Sequence, residues 1–175
     1  MSGALVISEE CLGWARLAGF EHRSDDTAGI VVLWSATGSR YCIRQRGRGR
    51  LELSHADGGD DPHPILFAAS MEILEYHLVG MFGDDVREEV ELPYLEMSVA
   101  RTDVAQGYAV GEMQRGYRIL TRTDGTPVAA APDPELSLVS LVPLSHFLGL
   151  SIAALKRAFL AEDGAPLLRA DGRYA

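Results

Sequence analysis

Hydrophobic positions recur along this chain with two periods, and the switches between them set the expected elements. Between Phe67 and Arg87, Ile73, Leu74, His77, Leu78 and Met81 fall at i, i+1, i+4, i+5 and i+8. That is one face of a 3.6-residue period, so a central amphipathic helix is expected here. Ser70 stands where an N-cap belongs, because its hydroxyl can accept from an orphan backbone N–H. Glu72 and Glu75 follow near the start, where the helix dipole favours carboxylates. Gly83 comes after the last apolar residues and reads as the stop. Asp84 and Asp85 then open an exposed acidic turn that runs to Glu91.

Upstream of that helix, Ser8 to Ala18 reads as a first helix, capped by Ser8, with Glu9 and Glu10 in its first turn. Cys11, Trp14, Ala15 and Ala18 form its apolar face, and Gly19 ends it. Phe20 to His22 is a short strand, and residues 23 to 27 a polar turn. Ile30 to Trp34 is an unbroken apolar run, the pattern of a strand buried on both faces. Ala36 to Ser39 is a hairpin turn in which Gly38 can take a positive φ. Arg40 to Arg46 then alternates, with Arg40, Cys42, Arg44 and Arg46 on one face and Tyr41, Ile43 and Gln45 on the other. After a turn at Gly47 to Gly49, Arg50 to His55 completes a meander with Leu51 and Leu53 inward.

Downstream, Tyr108 to Met113 and Tyr117 to Arg122 are strands. Asp124-Gly125 favours a hairpin between Arg122 and Pro127. Pro127 to Ala131 reads as an edge strand, since proline cannot donate to a ladder. Leu138 to Leu144 fits strand or helix. Ser145 is placed to cap a short helix to Gly149, and Ser151 to cap Ile152 to Leu160. The expected fold is therefore α+β, with antiparallel β-meanders packed against the central helix and flanked by N- and C-terminal helices. Residues 1 to 175 are expected to form a single globular domain, with the tail from about residue 163 loose.

Composition narrows the function classes. No apolar run reaches the roughly 18 residues of a membrane span. The start, Met1 to Cys11, has no basic residues ahead of its apolar ones, unlike a secretory leader. A cytoplasmic location and no membrane partner are expected. Cys11 and Cys42 have no metal-ligand spacing and read as buried free thiols. Against 16 basic residues stand 25 acidic ones, a net charge of −9. That balance argues against nucleic acid as a partner and for one of positive potential. All the basic residues except Lys156 are arginine, a bias associated with high-GC bacterial genomes.

Three features carry candidate chemistry. Arg40, Arg44, Arg46, Arg48 and Arg50 make a cationic cluster, suited to a phosphate or an acidic partner, or simply a solvated face paired with carboxylates such as Glu52. His55 to His63 collects two histidines and three aspartates, but matches no metal-loop spacing and reads as a solvated loop. Leu144 to Leu160 imitates a helix-turn-helix, yet the N-terminal part of its second helix is apolar where a DNA reader needs polar side chains. No nucleophile elbow and no phosphate loop are present. The chain is expected to be no enzyme and to hold no cofactor or metal.

Gly13-Trp14-Ala15-Arg16, the arginine-bearing meander and Phe82-Gly83-Asp84-Asp85-Val86-Arg87, with the size, acidity and element order, carry a family resemblance. The chain resembles the immunity proteins of actinobacterial polymorphic toxins, in the group that includes the immunity factor for tuberculosis necrotizing toxin. The resemblance implies a cytoplasmic inhibitor that binds a secreted NAD-hydrolysing toxin as a 1:1 complex and covers its NAD pocket. The interface residues are expected from turns and charge: Thr37, Gly38 and Ser39 as the inserted tip, with Asp57, Asp60, Asp61, Asp84 and Asp85 as a charged rim. The alternatives are a small acidic DNA-binding regulator using the C-terminal helix pair, or a secretion adaptor or chaperone.

Overall fold

A computed structural model describes residues 5 to 175. The first residues of the N-terminal stretch weighed as a leader lie outside the described residues. Eight antiparallel strands form one sheet in the order β1-β2-β3-β4-β5-β8-β7-β6. They are β1 (Phe20–Asp25), β2 (Ile30–Ser35), β3 (Ser39–Gln45), β4 (Leu51–Asp57), β5 (His63–Ala68), β6 (Tyr108–Val110), β7 (Tyr117–Arg122) and β8 (Pro127–Pro132). Four helices are α1 (Glu9–Leu17), α2 (Met71–Glu89), α3 (Leu136–Phe147) and α4 (Ile152–Leu160). α2 is central and packs against α1, α3, α4 and β5, while α3 also covers β7 and β8. The α+β architecture with a central helix and flanking helices is thus the one its hydrophobic pattern predicts.

Local chemistry fixes the helix starts. Ser8, Ser70 and Ser151 each accept from the backbone N–H three residues on, at Cys11, Ile73 and Ala154. The core then closes through α2, whose Leu74, Leu78 and Phe82 are fully buried against Leu33, Ile43, Leu53 and Leu66 of the sheet. Both cysteines are buried and free, and burial pushes the Cys11 thiol up to about 12.

Several expectations are corrected. α2 does not stop at Gly83 but runs on to Glu89, so Asp84 and Asp85 lie within a helix and not in an exposed turn. The glycine serves packing instead. A Cβ at Gly83 would stand 2.4 Å from the Phe159 ring, and one at Gly80 would stand 2.1 Å from Phe147. β2 is not buried on both faces; Val31 and Leu33 are inside, while Ile30, Val32 and Trp34 are half-buried. β8 is not an edge strand, because it lies between β5 and β7. Its ladder to β5 uses Ala129 and Ala130 only, so Pro127 owes no N–H on that side, and on the other it stands opposite Thr121 of β7 beside a register shift. β1 and β5 extend the expected three-stranded meander to five strands.

α3 is one helix through Ser145, with Pro143 inside it. Ser145 caps nothing; its hydroxyl donates to the Val142 carbonyl at 2.6 Å and accepts from the Ala105 N–H at 2.9 Å. The tail packs onto the rest of the fold. Leu167 and Leu168 are buried, Tyr174 stacks on His146 at 3.5 Å, and its hydroxyl donates to the Ser98 carbonyl at 2.8 Å.

Candidate functional site

The two turns expected to protrude lie side by side at one end of the sheet. Antiparallel pairing of β3 with β4 puts Ser39 opposite Asp57, so the β2–β3 and β4–β5 connections must emerge together. The Gly58 N–H donates to the Gly38 carbonyl at 3.1 Å and ties them. Gly38 adopts φ +94°, and its absent Cβ would lie 3.7 Å from the Gly58 backbone. A network braces the tip: the Gly38 N–H donates to the Ser35 carbonyl at 3.2 Å, the Ser35 and Thr37 hydroxyls meet at 2.8 Å, and Arg40 donates to the Asp60 carbonyl at 3.3 Å. Thr37, Gly38, Asp57, Asp60 and Asp61 are exposed, and Ser39 is half-buried. Five of the expected interface residues therefore share one open edge, with Ser39 behind it.

Beneath that edge sits a group that no sequence pattern announced. The register Leu33–Tyr41–His55–His63 runs across β2 to β5. The Tyr41 and His55 rings stand 4.7 Å apart, and Tyr41 meets Phe82 of α2 edge-on at 5.8 Å. Burial first, then the carboxylates of Asp85 and Asp57, push the Tyr41 phenol up, against a lowering hydrogen bond from Ser39. Asp85 thus adds negative potential at this end of the sheet from inside the helix. Burial also raises the Asp85 pKa, with Asp84 and Glu88 adding to it.

Ser39, His55 and Asp57 superficially form a serine-histidine-aspartate set. The Ser39 hydroxyl meets His55 Nε2 at 2.9 Å, and Asp57 meets the same Nε2 at 3.3 Å. A relay needs the two ring nitrogens to serve different partners, so this set braces the turn and does not activate the hydroxyl. Among the described residues no group of three or more histidine, cysteine, aspartate or glutamate side chains converges to hold a metal.

The arginine face is divided. Arg46 pairs with buried Glu52 at 2.6 Å, and Ser54 holds the other Glu52 oxygen at 2.9 Å. Arg44, Arg48 and Arg50 are exposed. Arg40 is held by the turn. Two members of the cluster are thus structural, Arg40 in the turn and Arg46 as in a paired strand face.

A family model for Immunity protein 61 matches residues 14–167. The chain belongs to the Immunity protein 61 family. It is 32% identical over 173 residues to the immunity factor for TNT of Mycobacterium tuberculosis, covering 95% of each chain. A homolog of that factor from Mycobacterium bovis matches to the same extent, at 32% over 95% of each chain. The solved structure of Rv3902c from M. tuberculosis superposes with a TM-score of 0.82 at 29% identity, covering 95% of this chain and 97% of that one.

As a member of the Immunity protein 61 family, the protein is an immunity protein whose partner is a cognate toxin. The helix pair at its C-terminus serves the fold: Leu155, Ala158 and Phe159 of α4 are buried. Lys156 is committed to Glu10 at 3.2 Å and to the Trp14 ring at 5.7 Å. No single helix among the described residues is long and apolar enough to cross a membrane. The remaining two expected rim residues do not sit in an exposed turn. Asp84 faces a cleft between α2, α3 and the segment from Leu95 to Val99, and Asp85 is half-buried beneath the turns. The spacing that would have flagged this is the i, i+4, i+7 series His77, Met81, Asp84, which continues the helical face past Gly83.

Proposed function

We propose that the protein neutralises a cognate secreted NAD-hydrolysing toxin in the cytoplasm, by occluding its NAD site in a 1:1 complex and without chemistry of its own. The observation that supports this reading best is the Gly58-to-Gly38 hydrogen bond, which makes one narrow, braced edge of two turns. A small-residue tip enters a pocket that a flat sheet face cannot. An NAD pocket receives a pyrophosphate, so a positive rim is expected there, and Asp57, Asp60 and Asp61 complement it. The net charge of −9 speeds the encounter. An interface of ordinary size for a tight inhibitor extends beyond the tip onto the neighbouring sheet surface.

The test is toxin NAD hydrolysis titrated with variants of this protein. Thr37→Trp puts bulk at an exposed tip position without the backbone strain that a side chain would meet at Gly38. It should weaken inhibition by more than tenfold, about 1.4 kcal/mol or more, while the protein melts like the parent. Asp57→Lys with Asp60→Lys should mainly slow association, and more so at low salt. If all variants inhibit as the parent does, the contact surface lies elsewhere. Failure of the parent to inhibit the NAD-hydrolysing toxin encoded beside it would remove the assignment itself.

A further inference from the structure

The cleft behind α2 has a volume of about 370 Å³ and lies away from the turns. Its walls are mainly apolar, with exposed Val99 and Val139 and half-buried Met81 and Met97, and Ser140 of α3 adds a hydroxyl. Two polar side chains of α2 line it. His77 is only 8% exposed, and burial alone lowers its pKa to about 4, with no hydrogen bond or charge to offset it. Asp84 carries a buried Oδ1 that meets no hydrogen-bond partner among the described residues. That oxygen is closed off from solvent, but Asp84 as a whole is half-buried, lines the cleft and makes no salt bridge among the described residues, so its negative potential favours a cationic donor there.

The protein's nearest cation does not fill that role. Arg87 is fully buried and donates to the carbonyls of Pro93, Phe159, Ala161 and Glu162 at 2.6 to 3.1 Å. Its charge lowers the Asp84 pKa only against a larger rise from burial. Seven residues separate His77 from Asp84, about 10 Å along a helix at 1.5 Å per residue. The cleft thus offers a carboxylate at one end, a neutral imidazole at the other and a hydrophobic channel between. A methylene stem covers apolar surface while its head stays polar. A guanidinium suits a half-buried carboxylate better than an ammonium does, because it is less strongly hydrated and forks.

We infer that this cleft is a receptor for one arginine residue of a polypeptide partner, its guanidinium on Asp84, its stem between the methionines and its backbone amide donating to His77. The site is separate from the braced turns and is tested without any toxin.

The probe is N-acetyl-arginine methylamide, titrated into protein labelled at the methionine methyl groups. The expected result is saturable shifts at Met81 and Met97, with affinity at least about tenfold above that for the matching citrulline compound, which has the same shape and no charge. Asp84→Asn should abolish the preference for arginine over citrulline, and Val139→Trp, at an exposed mouth position, should block both compounds. Equal affinity for the two compounds overturns the inference. So does an arginine preference that survives in Asp84→Asn, because the net charge would then account for it. Absence of saturable shifts at the two methionines also overturns it.

Discussion

Two pairs of glycines sit at opposite ends of the protein's tolerance. Gly80 and Gly83 of α2 face Phe147 and Phe159, so closely that an added Cβ would collide with either ring. Gly38 and Gly58 join the two turns and take positive φ with open space or ordinary contact around them. The first pair is glycine used for proximity, the second glycine used for backbone conformation. The sequence around Gly83 looks like a helix stop because both uses select the same residue. What separates them is the partner, an aromatic ring contributed by a helix more than sixty residues away. The helix is therefore where the fold is intolerant, and the turns are where sequence is free to serve recognition.

Substitutions should reveal that contrast in order of size. Leu78 is fully buried under the sheet, and Leu78→Asp places a charge there without a partner. The loss should be about 5 kcal/mol or more, the scale of the whole stability margin, and no cooperative melt should remain. A soluble, cooperatively melting variant would show that this face of α2 is not the critical one. Charge reversal of Asp60 and Asp61 should leave the melting temperature nearly unchanged, which is the other half of the contrast. Next in size is Arg87→Met. It keeps the bulk but leaves four carbonyls without their donor, at a loss of about 4 kcal/mol by urea unfolding. A loss below about 1 kcal/mol would mean that water replaces the guanidinium freely.

What the sequence made legible follows the range of the interaction. The three serine caps were readable because donor and acceptor are three residues apart. The Asp124-Gly125 hairpin was readable for the same reason, and Gly125 takes φ +86° there. The merging of two meanders into one sheet was not, because it depends on two residue pairs between β5 and β8, Phe67 with Ala130 and Ala68 with Ala129. At the candidate site each turn was legible as a turn, but their union was not. It rests on a hydrogen bond across twenty residues. Tyr41, His55 and Asp85 converge through three separate elements. Asp84 was misplaced for a different reason: an acidic pair after glycine reads as solvated, and only the continuing helix turns it inward.

The polar residues inside α2 sharpen the contrast further, because their burial makes stability depend on pH. His77 has its pKa lowered by burial to about 4 from an ordinary 6.5. A depressed histidine is neutral in the folded state and takes up a proton on unfolding. Its contribution is therefore fully present above about pH 6.5 and is lost as pH falls toward 4. Two and a half units correspond to about 3 kcal/mol. His77→Leu should flatten that window when unfolding is measured from pH 7 to pH 4. An equally steep decline in the variant would place the acid sensitivity elsewhere.

Asp84, on the same face of the helix, should behave in the opposite sense and more weakly. Its carboxyl pKa is raised, chiefly by burial and in part offset by Arg87. A raised carboxyl binds its proton more tightly in the folded state, so its contribution is best below the unfolded value and is lost as pH rises through the folded one. At pH 7 the charged, partnerless oxygen is a liability. Asp84→Asn removes that half-buried charge while keeping a polar atom in its place, and should therefore stabilise the protein at neutral pH by about 1 kcal/mol. The gain should shrink as pH falls, since the parent becomes neutral too. Melting curves of parent and variant at pH 7 and at pH 4 decide the point. A variant less stable than the parent at pH 7 would mean that the carboxylate already has its donor within the fold. A gain that does not depend on pH would assign the effect to shape and not to charge.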